Sequence, residues 1–167
     1  MISKVLVDTC FLIELTKTNA ECHKNALDYF NYFNEKNIDY FLSPIVVSEY
    51  WHNDLVDDFS MANFKHLTYN FIDGRNTAAI AKVLKEKKGI QAKGNGKYDI
   101  KDDYKLMAHL LVDNKIDCFI TKDKDMLKKY VEPIKELFPE LKNVTFIDIN
   151  LPIHATLKPQ TEINFPI

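Results

Sequence analysis

The chain has 167 residues, 46% of them hydrophobic, which fits one folded domain with a real core and excludes a disordered chain. Lys and Arg number 22 against 24 Asp and Glu, a formal net charge of −2. That balance gives no global basic signal, so a polyanion would have to be met by a local patch or by a metal ion.

Strands and helices alternate along the chain. Lys4 to Asp8 reads as a buried parallel strand ending in an acid. A short helix through Phe11, Leu12, Ile13 and Leu15 follows, then a longer one between about Ala20 and Lys36, with Asn37 as its stop. Tyr40-Phe41-Leu42 is a second strand, and Ser43-Pro44 opens a helix with Ser as cap and Pro at the first helical position. A further helix is expected from Leu55 to Phe64 and a third strand within Leu67 to Ile72. Asn76 to Lys87 is a helix with Ala79, Ile80, Val83 and Leu84 on one face. Lys88 to Lys101, with Gly89, Gly94 and Gly96, reads as a loop. Helix resumes near Asp102 or Asp103, with Leu106, Met107, Leu110 and Leu111 inward. Asp117 to Thr121 is a fourth strand, Lys124 to Phe138 a helix disturbed at Pro133, and Val144 to Ile149 a fifth strand. The pattern predicts an α/β domain over 1–149, with a mostly parallel sheet covered on both faces, and a Pro-containing tail over 150–167. Cys10, Cys22 and Cys118 are too scattered for a disulfide framework or a zinc site and fit reduced thiols in the cytoplasm. Neither a signal segment nor an apolar run of membrane-spanning length is read.

Five acids stand out: Asp8, Glu49, Asp103, Asp123 and Asp125. A strand that ends in an acid presents it at the carboxyl edge of a parallel sheet, where ligands bind in open α/β folds. Asp8 does so after the first strand, and Asp123 and Asp125 after the fourth. Each has a helix-capping role open to it as well. Glu49 lies in the otherwise apolar helix Pro44-Ile-Val-Val-Ser-Glu-Tyr-Trp, where a carboxylate is costly unless paired or metal-bound. Asp103 falls on the face of Leu106, Met107, Leu110 and Leu111, while Asp102 points about 100° away and is the better cap. Acids gathered at one sheet edge repel one another, and a hard divalent cation is the simplest thing that could hold them together.

In this order and spacing, Val5-Leu-Val-Asp8-Thr9, Ser43-Pro-Ile-Val-Val-Ser-Glu49, Asp103-Tyr-Lys-Leu-Met-Ala-His-Leu and Ile120-Thr-Lys-Asp123-Lys-Asp125 resemble the PIN-domain family of metal-dependent nucleases, over about residues 2 to 149. The resemblance implies a three-layer α/β/α sandwich around a mostly parallel sheet of about five strands. It implies that Asp8, Glu49, Asp103 and Asp123 bind Mg²⁺ or Mn²⁺ and carry catalysis, with Asp125 as auxiliary and Thr9 and Thr121 as supporting hydroxyls. Cys10 stands where the family often has a small polar residue. The implied activity is hydrolysis of RNA phosphodiester bonds, leaving a 5′-phosphate and a 3′-hydroxyl. Many family members of this size are toxins of bacterial toxin–antitoxin pairs, so an antitoxin protein is an implied partner. Family analogy also suggests a homodimer through Tyr29 and Tyr32. The alternative is a non-catalytic PIN-like RNA- or protein-binding module.

Substrate grip needs cations. Lys82, Lys85, Lys87, Lys88, Lys93, Lys97 and Lys101 precede Asp103, opposed only by Glu86 and Asp99. Lys93, Lys97 and Lys101 are the candidate nucleic-acid contacts in that glycine-containing stretch, and Tyr69, Tyr98 and Tyr104 the candidate stacking residues. Trp51, beside apolar Ile45 and Val46, is expected in the core and His109 to be structural.

Overall fold

Five parallel strands among the described residues form one sheet in the order β3-β2-β1-β4-β5. They are β1 (Lys4–Val7), β2 (Asp39–Leu42), β3 (Lys65–His66), β4 (Cys118–Thr121) and β5 (Thr145–Asp148). The computed structural model describes residues 2–52, 61–88, 100–112 and 116–157. Register is set by Leu6 opposite Phe41 on one side and Phe119 on the other. All of β4, and Val5, Leu6 and Val7 of β1, are buried. Successive strand residues point to opposite faces, so burial of every one means that both faces are covered.

The chain moves outward from β1 through β2 to β3, then returns to the other side of β1 for β4 and β5. The direction of winding therefore switches between β1 and β4, and the carboxyl ends of those two strands flank the crevice where open α/β sheets bind ligands. The helices are α1 (Thr9–Thr16), α2 (His23–Glu35), α3 (Pro44–His52), α4 (Phe71–Lys88), α5 (Asp102–Ala108), α6 (Lys124–Met126), α7 (Glu132–Lys135) and α8 (Ile153–Thr156). α1 packs on α2 and α3, and α4 on α5 and α7. In the core, Tyr29 and Phe33 of α2, Tyr50 of α3, Phe11 of α1 and Phe119 of β4 are fully buried.

Several boundaries moved for identifiable reasons. α4 begins at Phe71, five residues before its expected start. Asn70 Oδ1 accepts from Ile72 N at 2.8 Å, and Asp73 Oδ2 accepts from Asn70 N at 2.8 Å, a reciprocal cap that starts the helix early. The expected third strand is correspondingly displaced to Lys65–His66. The helix expected from Leu55 lies mostly outside the described residues, and its end, Met61–Asn63, is a 3₁₀ turn. α5 tightens into a 3₁₀ turn at His109–Leu111. Pro133 has no N–H and its ring crowds the carbonyl four residues back. The chain answers with a π turn, Leu127–Val131, immediately before α7. Asn37 does end α2, in the left-handed region at φ 54°, with Ile38 N closing onto Phe33 O at 2.9 Å.

Two aromatic placements correct the sequence reading. Trp51 is 51% exposed rather than core, and Tyr29 is fully buried with its hydroxyl donating to Leu151 O, so Tyr29 offers no dimer surface. Past the expected tail boundary, Asn150 Nδ2 donates to Lys122 O at 2.8 Å and α8 packs on α2, so the described start of the tail is fastened to the sheet domain. Among the described residues no helix is long and apolar enough to cross a membrane. All three cysteines are free thiols.

Candidate active site

Asp8 sits at the end of β1 and caps α1, its Oδ1 accepting from Thr9 N at 2.7 Å. Asp8 N donates to Ile120 O at 3.1 Å, which extends the β1–β4 ladder to the acid itself. The other carboxyl oxygen takes two donors, Thr121 Oγ1 at 2.5 Å and Cys10 Sγ at 2.8 Å. Thr121, at the end of β4, is completely buried and also accepts from Asp123 N at 2.9 Å. One hydroxyl thus fixes the Asp8 rotamer and the turn that carries Asp123. Cys10 Sγ in turn accepts from Lys122 N at 2.9 Å, so the thiol bridges the ends of β1 and β4. Burial, with Asp8 beside it, pushes the Cys10 thiol up, and it stays protonated as a donor.

Asp123 caps α6, Oδ1 accepting from Met126 N at 2.9 Å, and is otherwise exposed. Glu49 projects from α3, half-buried, and accepts a very short hydrogen bond from Thr9 Oγ1. Asp103 lies in the first turn of α5, half-buried. Lys101, not Asp102, occupies the cap position of α5. Asp102 instead pairs with Lys105 at 2.6 Å on the exposed side.

The electrostatics couple these groups. Burial pushes the Asp103 carboxyl up to about 6, with the charges of Asp8, Asp123 and Glu49 adding to it and Lys101 working against it. Burial also raises Asp8, against its hydrogen bonds from Cys10, Thr121 and Thr9, and Asp123 raises it further. Glu49 is raised by burial, with the Asp8 and Asp102 charges adding and the Thr9 hydrogen bond and Lys105 opposing. Four carboxylates from four elements therefore feel one another at the β1–β4 switch point. Among the described residues no three acid, histidine or cysteine side chains are closed tightly enough to enclose an ion as they stand; like charges without a counter-ion repel. The donor set is hard oxygen throughout, carboxylates supported by hydroxyls, and suits Mg²⁺ or Mn²⁺.

Asp125 is drawn elsewhere. It is 70% exposed and its carboxylate meets Lys129 Nζ at 2.6 Å, one turn on. The auxiliary role expected for Asp125 remains an expectation beside this exposed pair with Lys129.

Lys101 is exposed beside Asp103, with Nζ donating to the Tyr130 hydroxyl at 2.9 Å and lying over that ring. Tyr104 packs edge-on against Tyr130. Lys93, Lys97 and Tyr98 lie outside the described residues. Lys122, beside the acids, is turned away from them by buried Glu14 at 2.7 Å and by Glu21 at 3.0 Å. A shallow groove opens at the opposite edge of the sheet, near Ser3, Asp117 and Val144. Asp117 there is occupied in holding Ser3 N and Lys4 N, and the groove contributes nothing to the acidic site.

Sequence reasoning noticed Cys10 but not its link to Asp8 and Lys122, because the link runs between two strands. Glu14 had a signal that was overlooked, an acid on the apolar run Phe11 to Leu15 that needed a partner.

The described residues make an α/β fold around a parallel five-stranded sheet, with acids at its switch point. Solved structures agree on the fold. VapBC2 from Rickettsia felis, bound to a DNA fragment from their promoter, superposes at a TM-score of 0.55 with 12% identity, over 87% of this chain and 98% of that one. DNA-bound VapBC from Salmonella typhimurium superposes at 0.52 with 16% identity, over 89% and 99%. No protein-family model matches the sequence, and no curated protein matches it.

Proposed function

We propose that this protein is a Mg²⁺- or Mn²⁺-dependent endoribonuclease whose site is formed by Asp8, Glu49, Asp103 and Asp123. The observation that carries the reading is the mutual charge coupling of these acids, delivered by β1, α3, α5 and the β4–α6 turn. Burying several carboxylates together without a resident cation is unfavourable, and such an arrangement is kept where a cation is bound. A divalent ion there supplies a more acidic water and screens the charge that builds on a phosphodiester during hydrolysis. Thr9 and Thr121 hold Glu49 and Asp8 in fixed rotamers, so little ordering remains to be done when substrate arrives. Lys101, exposed next to Asp103, is assigned a backbone phosphate contact, and Lys93 and Lys97 the same task. Tyr104 is assigned a stacking role against an unpaired base, a role that suits single-stranded RNA.

The fold likeness to VapBC assemblies supports a toxin role in the cytoplasm, with a cognate antitoxin protein as partner. The test is a gel assay of the purified protein on mixed RNAs, with Mn²⁺, with chelator, and against Asp8→Asn. Cleavage only by the wild type and only with metal is the expected result. Chelator-insensitive cleavage, or an equally active Asp8→Asn protein, would overturn the assignment. Mn²⁺ binding without cleavage of any RNA would leave the binding-module reading in its place.

A further inference from the structure

A second polar cluster is buried where α3, α4 and α5 meet. Ser43, Asp73 and His109 are 0%, 1% and 0% exposed. Ser43 Oγ lies 2.9 Å from His109 Nε2, and His109 Nδ1 faces Asp73 Oδ1 at 3.3 Å. Neither of that second pair of atoms forms a regular hydrogen bond within the described residues. Ser43 Oγ also accepts from Ile45 N at 3.2 Å and keeps both a proton and a lone pair for the contact with Nε2.

Around this core, Tyr69 packs edge-on against the imidazole and its hydroxyl meets Thr77 Oγ1 at 2.8 Å. Asp73 Oδ2 is held by Asn70 N at the start of α4. The order serine, histidine, aspartate is that of a hydrolytic triad, but burial denies it a substrate, so nucleophilic catalysis is not its role.

What the cluster joins is informative. Ser43 begins α3, six residues before Glu49; His109 follows α5, six residues after Asp103; Asp73 lies in the first turn of α4. Apolar side chains filling the same volume would avoid the cost of burying polar groups. They would also let the helices slide, whereas the Ser43 hydrogen bond at Nε2 and the Asp73 carboxylate facing Nδ1 favour one arrangement. We infer that His109 is a positioning residue: it ties the start of α3 and the end of α5 to α4, and thereby sets how far apart Glu49 and Asp103 stand across the metal site. This rests on the metal-site reading above.

The test is the double variant His109→Phe/Asp73→Asn, which keeps ring volume, keeps an acceptor for Asn70 N and leaves no unpaired buried charge. Mn²⁺ is titrated calorimetrically into wild type, the double variant and Asp8→Asn, at a temperature where circular dichroism shows all three folded. The double variant should bind Mn²⁺ about tenfold more weakly than wild type. Lowered thermal stability with an affinity within about twofold of wild type would mean a purely structural cluster and would overturn the inference. Should the double variant not fold, Ser43→Ala carries the same comparison. If wild type itself binds no Mn²⁺, it is the metal-site reading that fails. Metal-free crystal structures of wild type and variant then decide: a changed Glu49–Asp103 separation supports positioning by His109, and an unchanged one refutes it.

Discussion

Replacing Asp103 by Asn should stabilise the metal-free protein while destroying its metal site. The Asp103 carboxyl, ordinarily at 3.8, is pushed up to about 6 by burial and by the charges of Asp8, Asp123 and Glu49. A carboxyl raised in the folded state holds a proton that the unfolded chain has already released. Its contribution is therefore fully present below pH 3.8 and is lost as pH rises through about 6. The whole displacement corresponds to at most about 3 kcal/mol, and partial solvent screening reduces it to about 1–2 kcal/mol. Asn cannot ionise and escapes the loss. In chelator at about pH 7.5, Asp103→Asn should melt about 3–6 °C above wild type, and the gap should close at about pH 4. Mn²⁺ should invert the order, because only wild type gains about 2.7 kcal/mol at a hundredfold excess over Kd. Thermal melts at the two pH values, with and without Mn²⁺, give all the comparisons. A variant no more stable than wild type at neutral pH, or a gap independent of pH, would refute the crowded-carboxylate account.

Asp8→Asn and Asp123→Asn should each lower Mn²⁺-dependent RNA cleavage by at least about a hundredfold, with circular dichroism spectra unchanged; cleavage within a few-fold of wild type would count against the assigned ligands. Thr121→Val removes a donor to Asp8 and an acceptor for Asp123 N at one stroke, and calorimetry should show Mn²⁺ affinity reduced about tenfold or more. Lys101→Ala should weaken RNA binding and lower the slope of log affinity against log salt by about one, as expected for a single lost phosphate contact. Asp125→Asn should leave Mn²⁺ affinity within about twofold, because its carboxylate serves Lys129 in an exposed pair of small energetic weight.

Four of the five parallel strands were legible in the sequence because each holds a short apolar run, and two of them run into acids; β3, Lys65–His66, has no apolar residue and was expected further on. Asp8 and Asp123 were proposed from that local grammar, and helix phase put Asp103 inward of Asp102; in the structure Asp103 is half-buried and Asp102 exposed. Asp125 could not be separated from Asp123 by the same means, since two residues of spacing in a loop leaves side-chain direction open. Only the fold shows Asp125 paired with Lys129 and Asp123 capping α6. The helix start at Asn70 was written in a reciprocal cap with Asp73, but a strand-like run just before it hid the signal.

What the sequence determined alone is the set of elements, since periodicity and capping act over a few residues. What tertiary structure decided is which distant groups share a neighbourhood. Cys10 against Asp8 and Lys122, Glu14 against Lys122, and His109 between Ser43 and Asp73 are contacts across 2 to 112 positions of chain. Their existence depends on strand order and helix packing, which local propensity does not encode, and the electrostatic strain of the acids arises only once the winding reverses between β1 and β4.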